Sequence, residues 1–368
     1  MKERLAIIDG IRTPFCKAGS VLAGYTADDL GAMAIRELMA RTGFDAKRLD
    51  ECVVGNVSQP VDAANVARVI ALKAGLPQSL IASTVHRNCA SGMEAITTAA
   101  IRVNAGEGSA FVCAGTESMS NAPFVLKGAR WGYRMGNMEA ADMMLLDGLT
   151  CAIEGCHMGV TAEEIVTRHG ISRADQDAFS AASQARAADA IAAGIFREEI
   201  VAVDAPLPNG QSKRVDTDEY TRAGTTAEKL GALRPAFRKD GSVTAGNASG
   251  INDGASALVV VSNEWAARER REPLASVLGY SVTGVEPKVM GMGPVEAVRK
   301  AVDRAGLTLA SIDLFELNEA FASQSLAVVR ELGVDVARVN VHGGAIALGH
   351  PIGASGARVL TTLIHALK

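Results

Sequence analysis

A chain of 368 residues is long for one compact domain and suits two or three. With 48% hydrophobic residues, 21% charged residues and a net charge of −4, it holds the apolar material for a buried core, which excludes a disordered chain. It also lacks the basic surplus of a nucleic-acid face, and 4% aromatic residues exclude a base-stacking platform. The apolar stretch at residues 5–8 is too short for a signal-peptide core, and runs such as 257–261 are too short to span a bilayer. Six cysteines without a leader fit a reducing, cytoplasmic setting with free thiols. The expected protein is cytoplasmic and engages neither membrane nor nucleic acid.

Residues 5–9 read as a buried strand. Residues 27–41 carry apolar side chains at helical spacing, with Gly43 placed to end that helix. Strands follow at 51–54 and 110–114, with 83–85 extended before a helix that starts after Cys89. Residues 121–250 hold fewer β-type runs and two helical stretches, 161–169 and 175–193, and read as an insertion. Residues 253–257 look helical, 257–262 and 314–317 strand-like, and 354–367 helical. The alternation predicts α/β layers with mostly parallel strands. A faint repeat runs through it: Ala34, Arg36, Arg41, Gly43 and Asp50 recur as Ala297, Arg299, Arg304, Gly306 and Asp313, and Ala90-Ser91-Gly92 recurs as Ala354-Ser355-Gly356 at nearly the same offset. Two matches in the same order indicate a duplicated α/β unit.

Three places could carry chemistry. Cys89 stands at a helix N-terminus, where free N–H groups and the helix dipole favour the nucleophilic thiolate; a buried structural cysteine is the plainer alternative. The glycine-dense run 342–356 lacks the Gly-Lys-Ser/Thr ending of a phosphate loop and the spacing of a dinucleotide fingerprint, so its glycines let backbone pass close to a ligand or another segment. His350 lies in it, just before the repeated Ala-Ser-Gly. The repeat sets Cys89 and His350 at matching strand-to-helix corners, which can face one another across a pseudo-twofold axis as an activated thiol and its base. Asn318-Glu319-Ala320-Phe321 is the third place, although Asn-Glu before an apolar run is also an ordinary helix start.

At these motifs the sequence resembles the thiolase family, the acetyl-CoA C-acyltransferases, over essentially its whole length. Cys89-Ala-Ser-Gly, Asn318-Glu-Ala-Phe and Gly349-His350-Pro-Ile-Gly-Ala-Ser-Gly match three family blocks in order, and residues 243–254 match a fourth. The resemblance implies two βαβαβαββ halves in a layered αβαβα arrangement with an inserted loop domain: an N-terminal half from 1–120 plus 251–270, a loop domain at 121–250 and a C-terminal half at 271–368. It implies that Cys89 accepts the acyl group from acyl-CoA while His350 draws off its proton. Asn318 would hold a water that forms an oxyanion hole with His350, and the Cys89 amide would serve a second hole. Ser249 would meet pantetheine and Arg222 the adenosine phosphates, with Lys213, Arg214 and Lys229 nearby. His157 and Met158 would line the acyl end, in a form that leans toward short chains, and Phe321 and Met290 complete the expected substrate contacts; Met290 also reads as an ordinary core methionine. Coenzyme A and acyl-CoA are substrates, no cofactor or metal is expected, and Cys151 and Cys156 beside His157 lack a second ligand cluster for zinc. A homodimer or homotetramer is implied, with residues 122–144 as the tetramer contact.

The family pattern continues past Lys368 with two strands and a Cys-x-Gly loop whose cysteine serves the substrate α-carbon. The expectation is therefore a second half without its final strands, with acylation of Cys89 intact and the carbon–carbon step impaired. A ketoacyl synthase-type condensing enzyme and a thiolase-fold acyl-CoA-binding protein are the alternatives.

Overall fold

The computed structural model describes residues 4–207 and 210–368. The first half runs β1 (Leu5–Arg12), β2 (Cys16–Lys17), α1 (Ala27–Thr42), β3 (Glu51–Gly55), α2 (Val66–Lys73), β4 (Ile81–Val85), α3 (Ser91–Ala105) and β5 (Ala110–Ser118). Short pairs β6 (Phe124–Leu126) with β7 (Ala140–Asp142) and β8 (Thr150–Cys151) with β9 (Cys156–His157) follow. Next come α4 (Met158–His169), α5 (Arg173–Ala193), the ribbon β10 (Val203–Pro206) and β11 (Ser212–Val215), and α6 (Ala227–Gly231). The chain then returns as β12 (Asn252–Ser262) and α7 (Asn263–Arg268). The remainder holds β13 (Ala275–Val277), α8 (Gly293–Arg304), α9 (Ala322–Leu332), α10 (Ala345–Leu348) and α11 (Ile352–Ala366).

The main sheet has the order β13-β1-β12-β5-β3-β4, with β2 on β12. Only β5-β3-β4 is parallel; β13, β1, β12 and β5 pair antiparallel. The sheet is thus mixed rather than mostly parallel. The chain reaches β12 through residues 121–250 instead of a crossover helix, so nothing forces β12 parallel to β5. The helical reading of 253–257 fails for the same reason: these residues lie between β1 and β5 in an eleven-residue strand that is buried throughout. Burial on both faces removes the alternation by which a strand is recognised.

Each face of the sheet is covered by helices. Alternate strand residues such as Ala6, Cys52, Val54, Val112 and Val259 pack with Leu30, Ile35 and Leu38 of α1 and Val66 and Ile70 of α2. The opposite set, Leu5, Ile7, Val53, Phe111, Leu258 and Val260, packs with Ala95, Ile96 and Ala99 of α3 and with Ala357 and Ile364 of α11. A bulge between Ile7 and Asp9 switches β1's parity, so Ile11 faces the first set although Ile7 faces the second. The last helix of the second half therefore shares a layer with the third helix of the first.

α3 and α11 touch backbone to backbone. A Cβ on Gly92 would lie 2.5 Å from the Ala357 nitrogen, and one on Gly356 2.4 Å from the Met93 nitrogen. Glycine is required at both, and both belong to the repeated Ala-Ser-Gly. The repeat is visible elsewhere too: Gly43 and Gly306 end α1 and α8 with φ of 57° and 70°. Among the described residues, the second half's strand segments after β13, which joins the main sheet, reduce to isolated bridges: Phe315 to Val339, parallel like β3 on β4, and Phe321 to Ala248. The strand expected at 314–317 is seen as the bridge at Phe315.

Two buried ion groups join these parts. Arg12 is fully enclosed, with Glu199 at 2.6 Å and both Asp218 oxygens at 2.6 and 2.8 Å, and it ties β1 to the segment before β12. Arg358 of α11 meets Glu316 at 3.0 Å with both side chains out of water. Burial pushes the Glu316 carboxyl up, against the pull of Arg358. Removing one partner of such a pair strands the other charge, at a cost of about 3–5 kcal/mol. Glu316→Ala is expected to lower the unfolding free energy, read from urea titration, by that amount and so lower the midpoint, whereas Glu269→Ala at the more exposed Arg48 pair leaves it nearly unchanged. Equal midpoints for the two variants would contradict the burial argument.

Candidate active site

Cys89 lies between β4 and α3. Asn88 before it takes φ of 45°, a left-handed conformation that asparagine tolerates, and this turns the chain sharply into the helix. Ser91 closes the turn: its Oγ accepts from the Arg87 amide at 2.8 Å and donates to the Asn88 carbonyl at 2.7 Å. The half-buried cysteine packs against a cluster of Val57, Met119 and Ile352. Burial pushes its thiol up to about 11, its own backbone amide pulls it down, and nearby Glu117 adds to the rise. A protonated resting thiol needs a base.

The second corner supplies one. His350 stands two residues before α11, is buried, and donates its amide to Asn252 Oδ1 at 3.0 Å. Gly349 takes φ of 104° against the Asn252 side chain, where a Cβ would come within 2.6 Å, so only glycine fits. Ser355 fixes the imidazole tautomer. Its Oγ lies 2.9 Å from the Pro351 carbonyl, which only accepts, so the hydroxyl proton is committed there. The same Oγ lies 2.5 Å from His350 Nδ1 and must accept from it. The ring proton is therefore on Nδ1, Nε2 keeps its lone pair, and Asn318 Nδ2 faces it at 3.3 Å as a donor. Burial, with Arg358 adding to it, lowers the His350 pKa to about 3, so the ring is neutral at pH 7.

The two corners meet where α3 and α11 cross. Cys89 packs on the cluster containing Ile352, and a Cβ on Gly115 would lie 2.3 Å from the Gly353 carbonyl. Glu117 binds them together. Its carboxylate accepts from the Val57, Ser58 and Gly353 amides at 3.1, 2.9 and 2.8 Å and from Asn56 Nδ2 at 3.2 Å. Burial pushes this carboxyl up to about 7 despite those donors. Glu319 does similar work beside Asn318, accepting from Ser183, Asn340 and the Ile346 amide at 2.8, 2.7 and 3.1 Å. The glutamate of the Asn-Glu-Ala-Phe block is thus a clamp holding Asn318 against the His350 loop. Asn318 Oδ1 is buried and has no hydrogen-bond partner among the described residues. A buried acceptor aimed into the site fits a bound water or substrate group.

The expected acyl-CoA contacts fall into two groups. Met158, Met290 and Phe321 share one apolar cluster with Ala248, beside Ser249, whose amide donates to the Ala320 carbonyl at 3.0 Å. His157 caps α4 by accepting from the Gly159 amide at 3.0 Å, and its ring stacks at 4.7 Å on Phe237, which meets Phe321 edge-on at 6.1 Å. Arg222 lies apart on the rim, exposed and stacked over Tyr220 at 5.5 Å; neighbouring Thr221 donates to the Ala347 carbonyl at 3.0 Å. Lys213 and Arg214 are exposed on β11, and the Lys229 ammonium donates to the Gly224 carbonyl at 2.8 Å. Sequence reasoning missed Phe237, a single aromatic in a polar stretch with no spacing signal, and Glu117, which looks like any polar residue near a strand's end. No group of metal-ligating side chains occurs among the described residues. None of the described helices is long and apolar enough to cross a membrane.

The lowered His350 pKa carries a sign. The folded ring resists the proton that the unfolded ring binds near pH 6.5, so this contribution to stability is full above that pH and is lost as pH falls toward 3. Between pH 7.5 and 4.5 the wild type is expected to lose more stability than His350→Gln, measured by urea unfolding. Parallel losses would refute the buried neutral ring.

The family model described as Thiolase, N-terminal domain matches residues 5–264, and Thiolase, C-terminal domain matches residues 271–368. The acetyl-CoA acetyltransferase of Pseudomonas aeruginosa is 50% identical over 365 residues, covering 99% of this chain and 93% of that protein. A probable acetyl-CoA acyltransferase of Staphylococcus epidermidis is 45% identical, covering 100% and 93%. The crystal structure of the Bacillus anthracis acetyl-CoA acetyltransferase superposes with a TM-score of 0.96 at 42% identity, over 99% of this chain and 92% of that one. Human mitochondrial 3-ketoacyl-CoA thiolase in complex with CoA superposes at 0.93 with 39% identity, over 99% and 91%.

Proposed function

Because the chain belongs to the thiolase family and is an acyl-CoA C-acyltransferase, we propose that it works through a thioester on Cys89, with His350 as base, Asn318 in the oxyanion hole and short acyl chains preferred. The observation that carries this reading is the tautomer fixed by Ser355: a neutral imidazole with its Nε2 lone pair available at the corner that meets Cys89. His350 Nε2 takes the thiol proton as the sulfur attacks the thioester carbonyl of acyl-CoA. The new carbon–sulfur bond forms, the CoA thiolate leaves, and it receives that proton. In thiolysis the Cys89 sulfur attacks instead the 3-keto carbon of a 3-ketoacyl-CoA, the bond between carbons 2 and 3 breaks, and acetyl-CoA leaves as its α-carbanion and takes up a proton. CoA then attacks acyl-Cys89 and frees the cysteine. In condensation acetyl-CoA gives up an α-proton and its carbanion attacks acetyl-Cys89, releasing acetoacetyl-CoA and the Cys89 thiolate, which takes a proton back. Asn318 Oδ1 holds a water that, with His350, stabilises the thioester oxygen.

The aromatic series His157, Phe237 and Phe321 with Met158 and Met290 forms the wall for the acyl and pantetheine end, with Ser249 beside it, and Arg222 takes the phosphates. Residues 121–250 serve as the loop domain that carries His157, Arg222 and Ser249, between an N-terminal half and the C-terminal half at 271–368. We read the protein as cytoplasmic and as a homodimer or homotetramer. The open edge of β4, where Ile81 is 62% exposed, supports the dimer, and exposed Phe124, Trp131 and Met135 support the tetramer contact at 122–144.

Exchange of label between acetyl-CoA and free CoA reads transfer to Cys89 alone. The wild type is expected to exchange and to carry one acetyl group on Cys89 by peptide mapping. Cys89→Ser abolishes both, and Asn318→Ala slows exchange by about 10²–10³-fold. An acetylated wild type with the group on another residue would overturn the assignment. Sedimentation is expected to show dimers or tetramers at micromolar concentration, and a stable monomer would defeat the oligomer reading.

A further inference from the structure

We propose that Cys151 and Cys156 are a redox modification site that closes into an intrachain disulfide by exchange with a low-molecular-weight disulfide of the glutathione class. The two cysteines are register partners in the β8–β9 hairpin. Directly opposed residues of an antiparallel pair point to the same face with Cα atoms about 4.5–5.5 Å apart, inside the roughly 4.4–6.8 Å window of a disulfide. The turn between them is closed by the Gly155 amide donating to the Cys151 carbonyl at 2.8 Å, with Gly155 at φ of 62°. The Glu154 amide donates to the Cys151 sulfur at 3.5 Å, which places that sulfur beside the turn. The backbone geometry for the bond therefore exists before the bond is made.

The other cysteines do not compete for this role. Cys16, Cys52 and Cys113 are buried, and burial pushes their thiols well up, Cys52 to about 12, which removes the thiolate that exchange needs. Cys89 sits in the catalytic corner. Cys151 and Cys156 are half-buried and reachable.

The chemistry balances with one oxidant. One cysteine thiolate attacks the small disulfide, forming a mixed disulfide and releasing one small thiol. The second thiolate attacks the protein sulfur of that mixed disulfide and releases the other. The protein loses two electrons and two protons, and the small disulfide gains both as two thiols. The site is placed where closure has something to act on. Cys156 is followed by His157, the cap of α4 and the stacking partner of Phe237. The hairpin tip also reaches Lys288, two residues before Met290, through Glu154 at 3.9 Å.

The test is peptide mapping of the full-length wild type after incubation with oxidised glutathione, without prior reduction. The expected product is a single crosslinked species joining Cys151 to Cys156, lighter by two hydrogens and reversed by dithiothreitol. Cys151→Ser and Cys156→Ser should each show one glutathione adduct on the remaining cysteine and no crosslink. Phenylarsine oxide, which bridges paired thiols without oxidation, should protect both from alkylation in the wild type, so the result does not depend on the variants folding. Two independent glutathione adducts, two unmodified thiols, or a crosslink from either cysteine to a third would each overturn the proposal.

Discussion

The contact between α3 and α11 is the constraint on which the rest depends. Gly92 and Gly356 let two helices from different halves approach until backbone meets backbone. Because each helix begins one turn after a sharp corner, bringing the helices together also brings the corners together. Cys89 and His350 are separated by most of the chain, yet their relative position is decided by the absence of two side chains. A methyl group at either glycine would act as a wedge at the pivot, and an error there grows along the helix toward the reacting atoms.

Buried acceptors then lock what the glycines allow. Glu117 collects three backbone amides from two separate segments, Glu319 collects donors from three, and Asn252 holds the His350 amide while its own amide reaches the Cys16 carbonyl at 3.0 Å. Each is costly to bury and repays that cost only when every donor is in place. The same geometry that satisfies them therefore specifies the site. Ser91 and Ser355 show how one inherited motif serves two ends. Both stitch the first turn of their helix, but only Ser355 has a histidine to accept from, and there the stitch also decides which ring nitrogen carries the proton.

Much of this was legible in the sequence because it rested on repetition and on glycine. The Ala-Ser-Gly repeat announced matching corners, and Gly43 marked the end of α1. Met158, Met290 and Phe321 fall in one apolar cluster. What escaped was set by tertiary context. The strand at 252–262 hides its character because both its faces are buried, and the direction of its pairing depends on a long excursion that local pattern does not encode. Glu117 carries no signal, since a carboxylate gains meaning only when amides from distant segments converge on it. Phe237 is identified by the ring of His157 above it and by nothing in its own neighbourhood of the chain.

The placement of α11 has a consequence for synthesis. The apolar face formed by Leu5, Ile7, Phe111 and Val260 is complete in its strands once β12 has emerged, but half its cover is α11, which begins at Ile352. At a translation rate of about 5–20 residues per second, the nascent first half waits roughly 5–20 s with the part of that face beyond α3 uncovered. During this interval it is a sticky surface attached to a ribosome. Anything that slows synthesis between residues 262 and 352 lengthens that exposure without changing a single contact in the finished protein.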